Sequence, residues 1–76
     1  MLTSKDRAFL VAVGSRIREV RKKRRISQEE LGFRCQLDRT YVSSVERGHR
    51  NLGITNLKRI ARALDVRPAV LLPDRD

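Results

Sequence analysis

Apolar residues along this chain recur at three- and four-residue steps, the period of helices that pack by one face, and no strand-like alternation bounded by hairpin turns interrupts them. Leu10, Val13, Ile17 and Val20 predict a first amphipathic helix from about Ser4 to Arg25, with Ser4 as its cap. Ser27-Gln28-Glu29-Glu30 predicts a second helix starting at Gln28. Ser27 is placed to accept from the amide three residues on and Glu30 to reach back, while the acidic pair suits the positive helix end. Leu31 and Cys35 form its inner face; Leu37-Asp38 then opens a third helix with Asp38 as N-cap, and Gly48 ends it in the left-handed manner. Ile54, Leu57, Ile60, Ala61 and Leu64 define a fourth helix, capped by Gly53 or Thr55 and ending near Asp65. Pro68 opens and Pro73 closes a short fifth. The expected fold is all-α, five helices in one domain covering residues 1–76.

The stretch from Gln28 to Gly48 is the part the rest is organised around. Leu31, Cys35, Leu37, Val42 and Val45 fit a short helix, a tight turn and a second helix crossing the first, which is helix-turn-helix spacing. Val42 and Val45 share one face with Asp38 and Glu46, so Thr40, Ser43, Ser44 and Arg47 point the other way. An inward Glu46 is costly without a cation. Arg21, one turn after Ile17, is the partner the spacing offers, as a bidentate structural pair locking the first helix to the third.

Charge narrows the partner. Lysine and arginine number 18 against 9 acidic residues, a formal net charge of +9, so the natural partner is a polyanion. Seventy-six residues suffice for one small core, and no apolar run reaches the roughly 18 residues that span a bilayer. A signal peptide is not expected, since Asp6 precedes the N-terminal apolar patch and the helical pattern runs on beyond it. One cysteine forms no internal disulfide, and a reduced cytoplasm is the expected setting. With one Cys and one His, no metal, cofactor or catalytic site is expected, and Cys35 reads as a small buried hydrophobe. Phe33 projects away from Leu31, towards solvent or a partner. An RNA or single-strand binder would need more stacking aromatics than Phe9, Phe33 and Tyr41, and a membrane-surface peptide would spread its cations along a stripe.

These residues suggest a division of labour on double-stranded DNA. Arg39 and Thr40 lie in the first turn of the third helix, where such helices meet base edges; arginine matches O6 and N7 of guanine, and threonine addresses thymine or a phosphate. Ser44 and Arg47 continue this base-facing side. Gln28, at a helix N-terminus, is a candidate phosphate holder, and Tyr41, Ser43, Arg50 and Asn51 are candidates for backbone contact. Each has a plainer role available: an exposed first-turn residue for Gln28, packing on a neighbouring helix for Tyr41, surface filler for Ser43, loop solubility for Arg50 and Asn51. The basic end of the first helix, Arg16 to Arg25, suits either a helix dipole or phosphates. Val66, Val70, Leu71 and Leu72 exceed what so short a segment needs in order to finish the core, and predict a dimer interface in a helix at about 67–72.

From about Val13 to Leu72 the chain resembles the Cro/repressor-type (XRE) helix-turn-helix family. The resemblance lies in R-I-R-E-V-R at 16–21, S-Q-E-E-L at 27–31, V-S-S-V-E-R-G at 42–48 and L-K-R-I-A-R-A-L at 57–64. L-D-R-T-Y at 37–41 with E-R-G-H-R-N at 46–51 is similar to the controller proteins of restriction–modification systems. The resemblance implies a five-helix, lambda-repressor-like DNA-binding domain, a homodimer formed largely through the C-terminal helix, and inverted-repeat operators. It implies an internal ion pair at Arg21 and Glu46, a phosphate-holding Gln28, and DNA-facing Arg39, Thr40, Ser44, Arg47, Arg50 and Asn51. It also implies a transcriptional regulator acting by blocking or touching RNA polymerase, autoregulatory in a controller, without a small-molecule ligand. An antitoxin binding a partner protein and a prophage or plasmid repressor use the same fold. The chain departs from the family at Gly32, where alanine is usual, and at Gln36 and near Arg25, where glycine is usual. A non-glycine residue held left-handed costs about 1–2 kcal/mol, and glycine in a helix up to ~1 kcal/mol against alanine.

Overall fold

The computed structural model describes residues 1–74, and in them four α-helices and one 3-10 turn follow in order. They are α1 (Ser4–Lys23), α2 (Gln28–Cys35), α3 (Arg39–Glu46), α4 (Gly53–Ala63) and the C-terminal 3-10 turn (Pro68–Leu71). The fold is all-α, and the predicted fifth helix is this 3-10 turn, with Pro68 in its first positions. No helix among the described residues is long and apolar enough to cross a membrane.

Helix ends follow local chemistry, with corrections to the expected caps. Thr3, not Ser4, caps α1: its Oγ1 accepts from the Asp6 amide at 3.0 Å and the Asp6 carboxylate accepts from the Thr3 amide at 2.9 Å. The helix stops at Lys23 because Arg25 turns left-handed, φ 60°. Ser27 caps α2 by accepting from the Glu30 amide at 3.0 Å. The return bond from Glu30 is replaced by an ion pair one turn on, where its carboxylate accepts from Arg34 at 2.9 Å. Gln36 ends α2 at φ 59° and ψ 39°, and Asp38 caps α3 by accepting from the Thr40 amide at 2.7 Å. For α4 neither Gly53 nor Thr55 is the cap. Leu52 stands there without a side-chain acceptor, and the helix ends at Ala63, before Asp65 turns at φ 59°.

The core gathers one face of every helix: Ile17 of α1, Leu31 of α2, Val42 and Val45 of α3, Ile60 of α4, and Leu71 of the 3-10 turn. Leu71 is 0% exposed, which removes it from the expected dimer face. The reason is non-local: Arg16 on α1 donates to the Val70 carbonyl at 2.7 Å, drawing the turn onto α1 so that Leu71 drops inward. Val66 and Val70 pack partly against the same core, and only Leu72 of the four stays on the surface. Arg24 likewise reaches across the fold, donating to the Leu64 and Asp65 carbonyls at 2.9 and 3.1 Å and capping the end of α4. These two arginines thus hold the C-terminal part in place.

Two glycines mark close backbone approaches. A Cβ on Gly14 would lie 2.6 Å from the Glu46 carbonyl oxygen, so α1 and α3 cross nearly backbone to backbone. A Cβ on Gly32 would lie 2.6 Å from the Leu37 carbonyl oxygen, because the chain doubles back after Gln36 and the Leu37 amide donates to the Gly32 carbonyl at 2.8 Å. The departure from alanine at 32 is therefore a steric requirement of this turn.

The crossing of α1 and α3 is locked by Arg21 and Glu46, both buried. Arg21 Nε donates to Glu46 Oε2 at 2.6 Å and Nη2 to Oε1 at 3.0 Å, while Nη1 donates to the Ile26 carbonyl at 3.0 Å. Gln28 adds a donor to Glu46 Oε1 at 3.1 Å. No buried side-chain nitrogen or oxygen is unpaired among the described residues.

Two outcomes follow for stability. Glu46→Ala leaves the Arg21 guanidinium buried without its counter-charge and lowers unfolding free energy by about 3–5 kcal/mol in a denaturant titration; an unchanged midpoint would refute the lock. Gly32→Ala lowers the thermal midpoint despite alanine's better helix propensity, whereas a raised midpoint would mean that the turn accommodates the methyl freely.

Candidate nucleic-acid interface

Helix α3 presents two unlike faces. Val42, Val45 and Glu46 are buried, whereas Arg39, Thr40 and Arg47 are exposed and Ser43 and Ser44 half-buried. Eight residues make a rod about 12 Å long. Its exposed face has short polar side chains in the middle and guanidinium groups at both ends. Arg39 has no protein partner among the described hydrogen bonds and ion pairs, and Arg47 makes only a long 3.4 Å contact with the Ser43 carbonyl.

Beside this face a cleft of about 600 Å³ opens between α1, the N-terminus of α2, and α3. Arg18, Gln28, Glu29, Arg39, Ser43 and Arg47 line it, and the Arg21–Glu46 pair also reaches its wall. An adjoining hollow of about 180 Å³ joins Gln28 to Arg39, Thr40 and Ser43. The amides of Gln28 and Glu29 are first-turn donors without intrahelical acceptors, so helix end and arginines present positive potential together. Glu29 is the one negative group in the lining outside the buried pair, set against Arg18, Arg39 and Arg47. Anion recognition is the chemistry this set of donors supports.

Gln28 is attached on one side only. One amide hydrogen goes to Glu46, leaving the other hydrogen and the side-chain oxygen for a partner, so the lock between helices also fixes this side chain at the cleft. Tyr41 is half-buried against the core, with its hydroxyl accepting from Asn56 at 3.1 Å and the Arg50 guanidinium 5.6 Å above its ring centre. Tyr41 and Arg50 are thus together, but neither lines the cleft beside Gln28. Asn51 is exposed on the wall of a third, apolar groove, with Phe9, Leu57 and Leu72, away from the other backbone candidates.

The sequence offers Arg18 only as one of the basic residues ending the first helix, and gives no reason to single out Asn56. Arg18 precedes Arg21 by one helical turn, so once Arg21 is known to aim at α3, its neighbour three residues earlier belongs on the same flank. Asn56 gave no such indication, because its link to Tyr41 joins residues fifteen positions apart. Cys35 is buried, with its thiol 3.7 Å from the Arg59 carbonyl. Burial raises its pKa above the ordinary thiol value, against a smaller opposing pull from the Arg59 charge, so it stays protonated at neutral pH and is a poor nucleophile. Among the described residues no group of His, Cys, Asp and Glu is clustered to hold a metal ion.

Comparison with known proteins places these features in a family. The helix-turn-helix family profile matches residues 17–71. The control protein C.BamHI of Bacillus amyloliquefaciens is 47% identical over 60 residues, covering 78% of this chain and 74% of that protein. The crystal structure of the restriction–modification controller protein C.AhdI from Aeromonas hydrophila superposes with a TM-score of 0.84 at 48% identity, over 86% of this chain and 98% of that one. The controller protein C.Esp1396I, solved as a tetramer in complex with its natural 35-base-pair operator, gives a TM-score of 0.76 at 38% identity, over 83% of each chain. With its α2–turn–α3 unit, its inward-facing ion pair and these relatives, the chain belongs to the Cro/repressor-type (XRE) helix-turn-helix family, and within it is most similar to the restriction–modification controller proteins.

Proposed function

We propose that this protein is a sequence-specific regulator of transcription that binds double-stranded DNA at an inverted-repeat operator as a homodimer. In this reading it works at the nucleoid as the controller of a restriction–modification system. The observation that carries the reading is the exposed face of α3, cationic at both ends and joined by one cleft to the N-terminus of α2. Positive potential brings the domain to the duplex; Arg18, Gln28, Tyr41, Ser43 and Arg50 hold phosphates and set the register; Arg39, Thr40, Ser44 and Arg47 meet base edges in the major groove. The operator complex of the relative C.Esp1396I supports the choice of duplex DNA over other polyanions. Binding at its own promoter then alters transcription by occluding RNA polymerase or by touching it.

The dimer face proposed here differs from the one expected from sequence. Phe9, Ile54 and Leu72 are exposed around a groove of about 220 Å³ floored by Leu10, Val13 and Leu57. Val66 lies on a different cleft, with Lys58, Arg62 and Pro68. Ile54, 84% exposed beside that groove, supplies both a knob and the rim of a hole, which is what a self-complementary two-fold contact uses. A second copy is the occupant that a two-fold operator requires.

Footprinting on the upstream region of its own gene tests the reading. The expected result is a protected palindrome whose affinity falls by about 10³ to 10⁵ between roughly 50 and 200 mM salt. Arg39→Ala erases discrimination at one guanine while leaving affinity for random duplex nearly intact; a uniform loss would make Arg39 a phosphate ligand. Ile54→Asp yields a monomer in sedimentation and weakens operator binding without lowering random-duplex affinity per protomer. A variant that stayed dimeric would reject this face.

A further inference from the structure

Tyr41 sits in the first turn of α3, on the flank of the exposed face, and its hydroxyl is half satisfied. The phenol oxygen accepts from Asn56 Nδ2 of α4 at 3.1 Å, yet no residue among those described accepts the phenol hydrogen. A phenol O–H prefers the plane of its ring, where it has two opposite orientations. A donor approaching one side leaves the hydrogen the other. The amide of Asn56 therefore does more than fill a lone pair: it selects one orientation. The ring is held from a second direction by the Arg50 guanidinium, 5.6 Å from its centre, and from behind by the core.

We infer that Asn56 is a positioning residue, which by donating to the Tyr41 oxygen turns the phenol O–H outward to an oxygen of a DNA phosphate. The inference rests on the DNA-binding reading above. A phosphate is the fitting acceptor because Arg50 makes the surroundings of the hydroxyl positive, so an anionic oxygen is favoured there over a neutral carbonyl. The bond to Asn56 also strengthens the phenol as a donor, since a hydroxyl that accepts is polarised towards giving its own hydrogen. The device spans α3, the α3–α4 loop and α4, and so ties the register of the recognition helix on the backbone to the placement of α4.

The test is a double-mutant cycle on the full chain with Tyr41→Phe and Asn56→Ala. Equilibrium binding is read on the duplex that the wild type protects and on random duplex, at one salt concentration, with thermal midpoints measured alongside. Each single substitution should weaken operator binding by about tenfold, the scale of one hydrogen bond to a charged group, with little change in midpoint. In the Tyr41→Phe background, Asn56→Ala should weaken it no further. Losses that multiply would mean that Asn56 meets DNA on its own, and an unaltered affinity for Asn56→Ala beside a weakened Tyr41→Phe would mean that the phenol needs no positioning; either result overturns the inference. So does an affinity loss matched by a fall in the midpoint. Failure of the wild type to protect any palindrome is a separate result, refuting the DNA-binding reading and this inference with it.

Discussion

A buried guanidinium–carboxylate pair between α1 and α3 is the constraint from which the rest of this structure can be read. Arg21 donates two hydrogen bonds to Glu46, at 2.6 and 3.0 Å, and a third to the Ile26 carbonyl, while Gln28 donates a further bond to Glu46. Such a pair gains little net stability over an apolar contact of the same volume. Its value lies in geometry. Both charges must find each other in one register, so the angle and depth at which α3 sits on α1 are set within hydrogen-bonding tolerance. The Ile26 carbonyl ties in the α1–α2 loop, and Gln28 the start of α2. A helix whose outer face is to be read by a ligand is thereby oriented from its inner face.

The surplus of positive charge is not spread evenly in purpose. Arg21 is interior, Arg16 and Arg24 reach across the fold to carbonyls of the C-terminal segment, and Arg34 pairs with Glu30. Arg18, Arg39 and Arg47, by contrast, converge on one cleft with no ion-paired carboxylate of their own among the described residues. Net charge draws the protein to a polyanion from any direction. In the proposed DNA-binding reading, the convergence of these guanidinium groups next to a helix N-terminus gives that attraction a preferred orientation.

Much of this was legible in the sequence, wherever the physics is local or periodic. The three- and four-residue recurrence placed all four helices, and Glu46 on the inner face of α3 demanded a cation, which the spacing of α1 supplied at Arg21. The failures have two causes, contacts that depend on how the chain doubles back and competition between neighbouring local partners. Four apolar residues in so short a segment point to a surface face, but Leu71 is buried, where the 3-10 turn is held to α1 by Arg16, more than fifty residues away. Gly32 read as a weak helix residue, because the approach of the Leu37 carbonyl cannot be seen without the turn geometry. Glu30 had two local partners of similar appeal, the Ser27 amide and Arg34, and sequence does not rank them. Thr3 and Ser4 are adjacent hydroxyl residues, and only Asp6, three positions after Thr3, distinguishes them as caps.

The bare backbone of Gly14 under the last turn of α3 has a mechanical meaning. With the carbonyl of Glu46 resting almost directly on α1, no layer of side chains lies there to be compressed or to slide. That contact resists compression, and in the proposed DNA-binding reading a duplex that does not match the shape of α3 would have to bend or change its groove width to be accepted. In that reading, base steps that the protein never touches would contribute to selectivity through the work of deforming them.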